Sequence, residues 1–565
     1  MPNTESTQVQ DVILRSVIAH RLDVIATEMG VALERSSRSP IFAEACDFAC
    51  GICSGEGDLV SQLNGIPILA AAGSFSVRAV LEKYRGNIGE GDVFIINDPY
   101  WGGNHLPDIG IITPVFYENE LMFFAVSRAH HGDIGGSTAG SYNPKATEIF
   151  QEGVRIPPLK LFSQGKLISE VMDLITYNTR NPDMIKSDLL AQMGANQIGK
   201  QRITALCAKY TNRTIQAVIK ELLDRGEYLV RREVAKIPDG TYTGIEYLDD
   251  DGFQEDPIKI QVAVIVKGET ITVDFTGTDA QVKGFVNSSL VTSSTAAYIA
   301  VLWGLSPEIP RNSGAFRAIQ IVAPKGTVVN PHAPAPMTLC TLHPAGEIIS
   351  AVFKALAQIM PDRIPAGFGR YCGPSFYGID PRNDQFYVGF AFCCLGSGGA
   401  LAGMDGRPYM SPISNYGGVR TPNIEVNEVQ YPHTTLCHEM EPDTAGAGKF
   451  RGGPGIRYQI RFSSPAEIVM FGDGKKIPPY GLAGGHTGSA NRPILEYQDG
   501  RQVFLGTKEL PRKVQAGDSL TLISSGGGGW GSPKERDRDK VREDYRNGLI
   551  SEKTAKDVYG VDLDE

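Results

Sequence analysis

The chain is 565 residues long, 42% hydrophobic and carries a formal charge of −10. That length exceeds one hydrophobic core and predicts two to four domains. No apolar run of about 18 residues marks a membrane span, and the first residues lack the basic start and apolar centre of a secretory signal. The charge is spread, leaving no basic footprint for nucleic acid or an anionic membrane, so a cytoplasmic protein with neither partner is expected. Nine cysteines, an odd number without secretory features, predict reduced thiols. Cys46, Cys50 and Cys53 offer three thiolates, but no second CxxC or paired histidine motif completes a zinc site, and simple burial is the better reading.

In chain order, Val9, Val12, Ile13, Leu22, Ile25, Met29 and Leu33 space out one long amphipathic helix over 9–35. Strand-like pieces follow over 41–60, with a turn at 54–58, and 70–84 reads as a second helix. Val93–Ile96 and Leu121–Ser127 are short apolar strands. Residues 183–235 are helical in period. Beyond a break at Ile237-Pro238-Asp239-Gly240, the β-branched runs 241–247, 258–266 and 270–275 predict a sheet. A second break at 331–336 precedes a helix over 347–359, a glycine- and aromatic-rich stretch over 361–418, and strand-like alternation over most of 456–523. Residues 533–565 are charged and helical, with Ser551 placed to cap a helix that Gly560 ends. The predicted fold is α+β and multidomain. Its parts are a mixed α/β domain over 1–236, a β-rich domain over 237–330, a mixed glycine-rich domain over 331–455, a β-rich domain over 456–532 and a helical tail. The glycine-rich loops after Pro331 are read as contact surfaces for another subunit.

Chemistry concentrates between Asn97 and Gly136, which hold three of the nine histidines. Asn97-Asp98-Pro99-Tyr100-Trp101-Gly102-Gly103-Asn104-His105-Leu106-Pro107-Asp108 follows the first short strand, and Arg128-Ala129-His130-His131-Gly132-Asp133-Ile134-Gly135-Gly136 follows the second. Imidazole and carboxylate suit zinc or manganese, and glycine lets the backbone approach an ion or substrate. This reads as a metal site on loops just beyond strand ends. For His105 with Asp108 the alternative is a hydrogen-bonded loop pair. His130 and His131 point to opposite sides of an extended chain, so only one reaches the ion. Asp133 is either a base beside the ion or a turn former, and Asp98 either a turn residue or a substrate contact. Glu152 and Arg155 are read as a pair bracing their loop. Gly526–Ser532 has the glycines of a phosphate loop without its lysine, and no G-x-S-x-G elbow is present; any ATP is bound by another subunit.

These two motifs, with Gln151-Glu152-Gly153-Val154-Arg155-Ile156-Pro157-Pro158, Asn178-Thr179-Arg180-Asn181-Pro182, Phe450-Arg451-Gly452-Gly453-Pro454-Gly455 and the closing glycine run, together resemble the B subunit of ATP-dependent hydantoinases. The same superfamily takes in 5-oxoprolinase, caprolactamase and the large subunits of acetone and acetophenone carboxylases. The resemblance spans nearly the whole chain. It implies a hetero-oligomer in which an A-type subunit binds ATP and Mg and phosphorylates the carbonyl of a small cyclic amide. The B-type subunit then completes ring opening at one divalent transition metal, Zn or Mn. The ligands it implies are His105, Asp108 and His130, with an acid from Glu44-Ala45-Cys46-Asp47, where Asp47 is favoured and Glu44 retained as the other candidate. His131 and Asp133 are the candidate catalytic groups beside the ion. Two alternatives stay open: a subunit of a ketone carboxylase, and a non-catalytic scaffold of the ATP-binding partner. Leu69 stands where many family members carry histidine; if that stretch lines the pocket, a substrate less polar than hydantoin follows, and Trp101 and Cys46 would act the same way.

Overall fold

The computed structural model describes residues 4–63 and 65–563. Seven antiparallel strands form the N-terminal sheet: β1 (Phe48–Ser54), β2 (Leu59–Gln62), β3 (Val93–Ile96), β4 (Asp108–Tyr117), β5 (Glu120–His130), β6 (Leu159–Ser163) and β7 (Lys166–Leu167), in the order β2-β1-β5-β4-β3-β6-β7. Its middle strands are buried on both faces, which is why they read as continuous apolar runs. One face is covered by α1 (Thr4–Ser36). Next in the chain come α2 (Pro40–Ala43), α3 (Pro67–Ala70) and α4 (Ala72–Lys83); Val77 and Val80 of α4 pack on Phe124 and Val126 from the other face. In α1 the buried stripe is Ile18, Leu22, Ile25, Met29 and Leu33, whereas Val12 and Ile13, expected within it, are 59% exposed. The side chain of Val9 lies outside the described residues.

The helical stretch 183–235 is two helices, α5 (Pro182–Lys209) and α6 (Asn212–Val234), divided where the Thr211 hydroxyl accepts the Thr214 N–H and caps α6. A second sheet, β11-β10-β9-β8, is built from β8 (Gly240–Leu248), β9 (Ile258–Lys267), β10 (Thr270–Asp274) and β11 (Ile319–Val322). Strict burial alternation along β9 marks a sheet with one covered face. Helices α7 (Leu290–Gly304) and α8 (Ala345–Leu356) pack into the same core.

Two further sheets hold the rest. β12 (Cys372–Asp380), β13 (Gln385–Phe390), β14 (His433–Met440), β15 (Ile456–Phe462), β16 (Ala466–Gly472), β17 (Arg492–Glu496), β18 (Gln502–Phe504), β19 (Glu509–Val514) and β20 (Ser519–Ile523) form β13-β12-β16-β19 and β14-β15-β20-β17-β18. Strands from either side of Gly455 pair in both. Of the glycine-rich loops expected at the surface, the closing run 526–529 and the stretch 396–400 are interior, while Gly403, Gly417 and Gly484 are exposed: the Gly528 N–H donates to the Gly367 carbonyl at 2.8 Å and the Ala400 N–H to the Gly528 carbonyl at 2.9 Å. A Cβ on Gly528 would sit 1.9 Å from the Tyr480 carbonyl oxygen, so close backbone packing, and not a phosphate, explains this run. In the tail, Ser551 caps a short helix and Gly560, at φ 74°, ends it. Among the described residues no helix is long and apolar enough to cross a membrane.

Candidate metal centre

Sheet register brings the candidate ligands together. β4 begins at Asp108 and β5 ends at His130, and these two residues are direct cross-strand partners. Asp47 precedes β1, next to β5, and its carbonyl accepts the His130 N–H at 3.0 Å. His105 lies one turn before β4 and its carbonyl accepts the Asp108 N–H at 3.1 Å. Strand β5 therefore runs through Arg128-Ala129-His130 instead of stopping before it.

The preceding loop is pinned by its own polar side chains. The Asn97 amide donates to the carbonyls of Leu106 and Val154, both at 2.8 Å, and its oxygen accepts the Ile156 N–H at 2.6 Å. Asn104 reaches the Ile68 carbonyl and the Thr292 hydroxyl. Gly103 is needed because a Cβ would lie 2.2 Å from the Asn97 carbonyl oxygen. Glycine and asparagine in this motif thus place His105 without touching anything at the centre.

His105 Nε2 lies 2.9 Å from Asp108 Oδ1, His130 Nδ1 lies 3.3 Å from the same oxygen, and the two ring nitrogens are 3.2 Å apart. A carbonyl only accepts, so the bond between His105 Nδ1 and the Thr338 carbonyl fixes the proton on Nδ1 and leaves a lone pair on Nε2. Glu152 holds that carbonyl in place by accepting the N–H groups of Met337 and Thr338 at 2.9 and 2.8 Å. Asp108 Oδ2 is buried and has no hydrogen-bond partner. Arg128, the nearest guanidinium, donates to the Asp108 backbone carbonyl at 3.1 Å. A buried carboxylate with a free oxygen, facing two imidazole nitrogens, is the donor set of a cation site.

The charges of this cluster are tightly coupled. Burial alone would push the Asp108 carboxyl up, but His105 and His130 hold it well below the usual range. Burial opposes the His105 imidazolium, and Asp108 outweighs it, raising the pKa. Asp47, partly exposed into the cavity, is pushed up to about 6 by burial and by Asp108, against His130. Asp47, Asp108 and His130 line a cavity of about 30 Å³ with Leu69, Tyr142 and Phe471. The Tyr142 and Phe471 rings stack at 4.0 Å.

Other candidates sit elsewhere. Glu44 ends α2 and is not on the cavity wall. His131 turns to the opposite side, as strand geometry requires: Nε2 meets the Gln192 oxygen at 2.9 Å, the ring lies edge-on to Phe42, and burial pulls its pKa down to about 4. Asp133 accepts the N–H groups of Gly140 and Arg180 and pairs with the Arg180 guanidinium at 2.9 Å, so it braces a turn. Arg155 pairs with Asp98 at 2.9 Å and not with Glu152. Trp101 and Cys46 are off the cavity, while Ile68 and Leu69 line it. Cys50 and Cys53 are buried thiols pushed up to about 12. Sequence reasoning missed Tyr142, which follows the second motif, and Tyr371, Phe471 and the Thr338 carbonyl, which come from segments far along the chain; Tyr371 reaches the cavity with an unpartnered, buried hydroxyl.

Comparison with known proteins matches the chain to a family. The model for Hydantoinase B/oxoprolinase matches residues 11–533. Caprolactamase subunit beta of Pseudomonas jessenii is 33% identical over 562 residues, 98% of this chain and 96% of that one. 5-oxoprolinase 1 of Arabidopsis thaliana is 30% identical over 550 residues, 93% of this chain and 42% of that one. The crystal structure of ATP-dependent caprolactamase from Pseudomonas jessenii matches with a TM-score of 0.92 at 31% identity, covering 98% of this chain and 97% of that one. With a family match over most of its length and a fold shared nearly end to end, the chain belongs to the Hydantoinase B/oxoprolinase family.

Proposed function

We propose that this chain is the metal-bearing subunit of an ATP-dependent cyclic amide hydrolase. The observation that carries the reading is the convergence of His105 Nε2, His130 Nδ1 and Asp108 Oδ1 around a buried carboxylate with one oxygen unpartnered. These three residues and Asp47 would hold one divalent ion, Zn or Mn, since imidazole with carboxylate suits either. Such an ion supplies Lewis acidity and brings water towards a neutral pKa. Glu44, His131 and Asp133 have no part in this reading because they sit off the cavity.

The chain carries no phosphate loop, so ATP and Mg belong to an A-type partner. That partner transfers the terminal phosphoryl group of ATP to the amide oxygen, removing the resonance that makes an amide a poor electrophile; water adds at the carbon, the ring C–N bond breaks as its nitrogen takes up a proton, and a second water hydrolyses the resulting acyl phosphate to carboxylate and phosphate. The residues here orient and exclude. Thr338 keeps the His105 proton on Nδ1. Ile68, Leu69, Phe390 and Phe471 keep bulk water out, which strengthens every charge inside. The same apolar walls favour a simple lactam over hydantoin, whose second ring nitrogen would lose its hydrogen bond. At about 30 Å³ the cavity has room for water but not for a lactam, so a wall moves when substrate enters.

Reconstitution with the A-type partner, ATP and Mg tests this. Ring opening of caprolactam should proceed faster than that of hydantoin, without bicarbonate, and should vanish in His105→Ala. A bicarbonate requirement would place the chain with the carboxylases, and full turnover by a folded His105→Ala would refute the metal reading.

A further inference from the structure

The metal cavity is not the largest recess. A separate pocket of about 260 Å³ lies behind the same wall. Ile68 and Leu69 of α3 line the metal cavity, while Pro67 and Ala71 line the pocket; farther on, Asn415 faces the cavity and Tyr416 the pocket. The opposite wall is one face of α7, with Thr295, Tyr298, Ile299, Leu302 and Trp303 at the spacing that puts side chains on one side of a helix. Ring packing sets its shape. Tyr298 stacks on Phe316 at 4.6 Å, and Trp303 meets Tyr416 at 4.6 Å and 71°. Tyr416 adopts φ 52°, a left-handed conformation uncommon for an aromatic residue.

One charged side chain lines this recess. Arg311 is exposed at its edge, and among the described residues no carboxylate lies within salt-bridge distance of it. Its charge reaches the Tyr416 hydroxyl, where it partly offsets the upward push of burial. A guanidinium without a counter-charge, beside an aromatic cleft, complements an anion carried on an apolar body. Its planar fork matches a carboxylate in two parallel hydrogen bonds. One guanidinium with no second cation on the wall balances a single charge.

We propose that this pocket binds a small monocarboxylate with an apolar body, the carboxylate on Arg311 and the body between Trp303 and Tyr298. The site does not depend on the metal reading. Calorimetry and tryptophan emission on the full chain test it, with phenylacetate as probe; Trp303 is one of only three tryptophans. One saturable site per chain with a change in emission is expected. Arg311→Gln should weaken phenylacetate by about tenfold or more, while the neutral phenylacetamide should bind weakly and equally to both proteins. Ile299→Trp, which fills the pocket, should abolish binding in a protein with unchanged melting temperature. No saturable binding by the wild type, equal affinity in Arg311→Gln, binding retained by folded Ile299→Trp, or tighter binding of phenyl phosphate would each overturn the proposal.

Discussion

Among the described residues, two buried histidine–carboxylate clusters bring three donor atoms within 4.8 Å of one another: His105, Asp108 and His130, and His343, Glu347 and Asp473. By residue type they are alike, yet their surroundings differ. In the second, Arg370 bonds Asp473 at 2.7 Å and approaches Glu347 at 3.4 Å, and Lys508 reaches Asp473 at 3.0 Å. Built-in cations already neutralise its carboxylates, and His343 donates from both ring nitrogens, Nδ1 to the Glu347 carboxylate and Nε2 to the Tyr371 carbonyl. In the first, among the described residues, no lysine or arginine side chain touches the Asp108 carboxylate, which meets only the two imidazoles, and Oδ2 has no partner. The lesson is that a fixed lysine or arginine counter-charge, and not the residue types, separates an ion-pair hub from a candidate metal site.

Breaking each cluster should give different symptoms. Asp108→Asn or His130→Ala should cost about 10³-fold or more in ATP-coupled kcat/KM, because several kcal/mol of transition-state stabilisation is lost, with little change in melting temperature. Asp473→Asn should instead destabilise the fold by about 3–5 kcal/mol, since it strands buried Arg370 and Lys508, and should leave metal content unchanged in protein that remains folded. Chemical denaturation with metal analysis reads both. Lys508 and Arg370 hold the Asp473 carboxyl well below the usual range despite burial. Its contribution is therefore complete above the unfolded carboxylate pKa of about 3.9 and is lost as pH falls further; the wild type should show this acid loss more strongly than Asp473→Asn.

A smaller effect sharpens the account of the first cluster. Glu152→Gln replaces an acceptor of two backbone N–H groups with one that accepts through a single oxygen, loosening the Thr338 carbonyl that orients His105. Metal affinity should weaken by about 10–100-fold while stability changes less than in Asp473→Asn. A titration with Mn in competition with a chelator measures it. Smallest is the effect at a buried imidazole outside both clusters. His433 has both ring nitrogens unpartnered and packs edge-on to Phe376, and burial lowers its pKa from 6.5 to about 4. Below pH 6.5 the unfolded chain takes up a proton that the folded one refuses, so stability falls with pH across this window. His433→Phe should flatten that slope by on the order of 1–2 kcal/mol.

Which parts of this were legible in the sequence follows from what each signal depends on. The long helices, the β-branched strands of the second sheet and the Ser551 cap depend on local periodicity and turn chemistry, and they match. The division of 183–235 at Thr211 was hidden because apolar period continues across it and only a single capping hydroxyl marks the break. His105, Asp108 and His130 converge because motif and strand register agree. Of the acidic candidates, Asp47 faces the cavity and Glu44 does not, since only Asp47 adjoins the first residue of β1. His131 and Asp133 share the motif but satisfy Gln192 and Arg180, partners that sequence spacing does not reveal. The closing glycine run and the stretch 396–400, read as surfaces, are interior, because glycine serves close backbone approach as readily as exposure.

The most direct measurement is elemental analysis of the purified wild type beside His105→Ala, His130→Ala and His343→Gln. About one Zn or Mn per wild-type chain, lost in the first two variants and retained in the third, is the result predicted. A metal-free wild type, or an ion that survives His105→Ala and leaves with His343→Gln, would contradict the assignment.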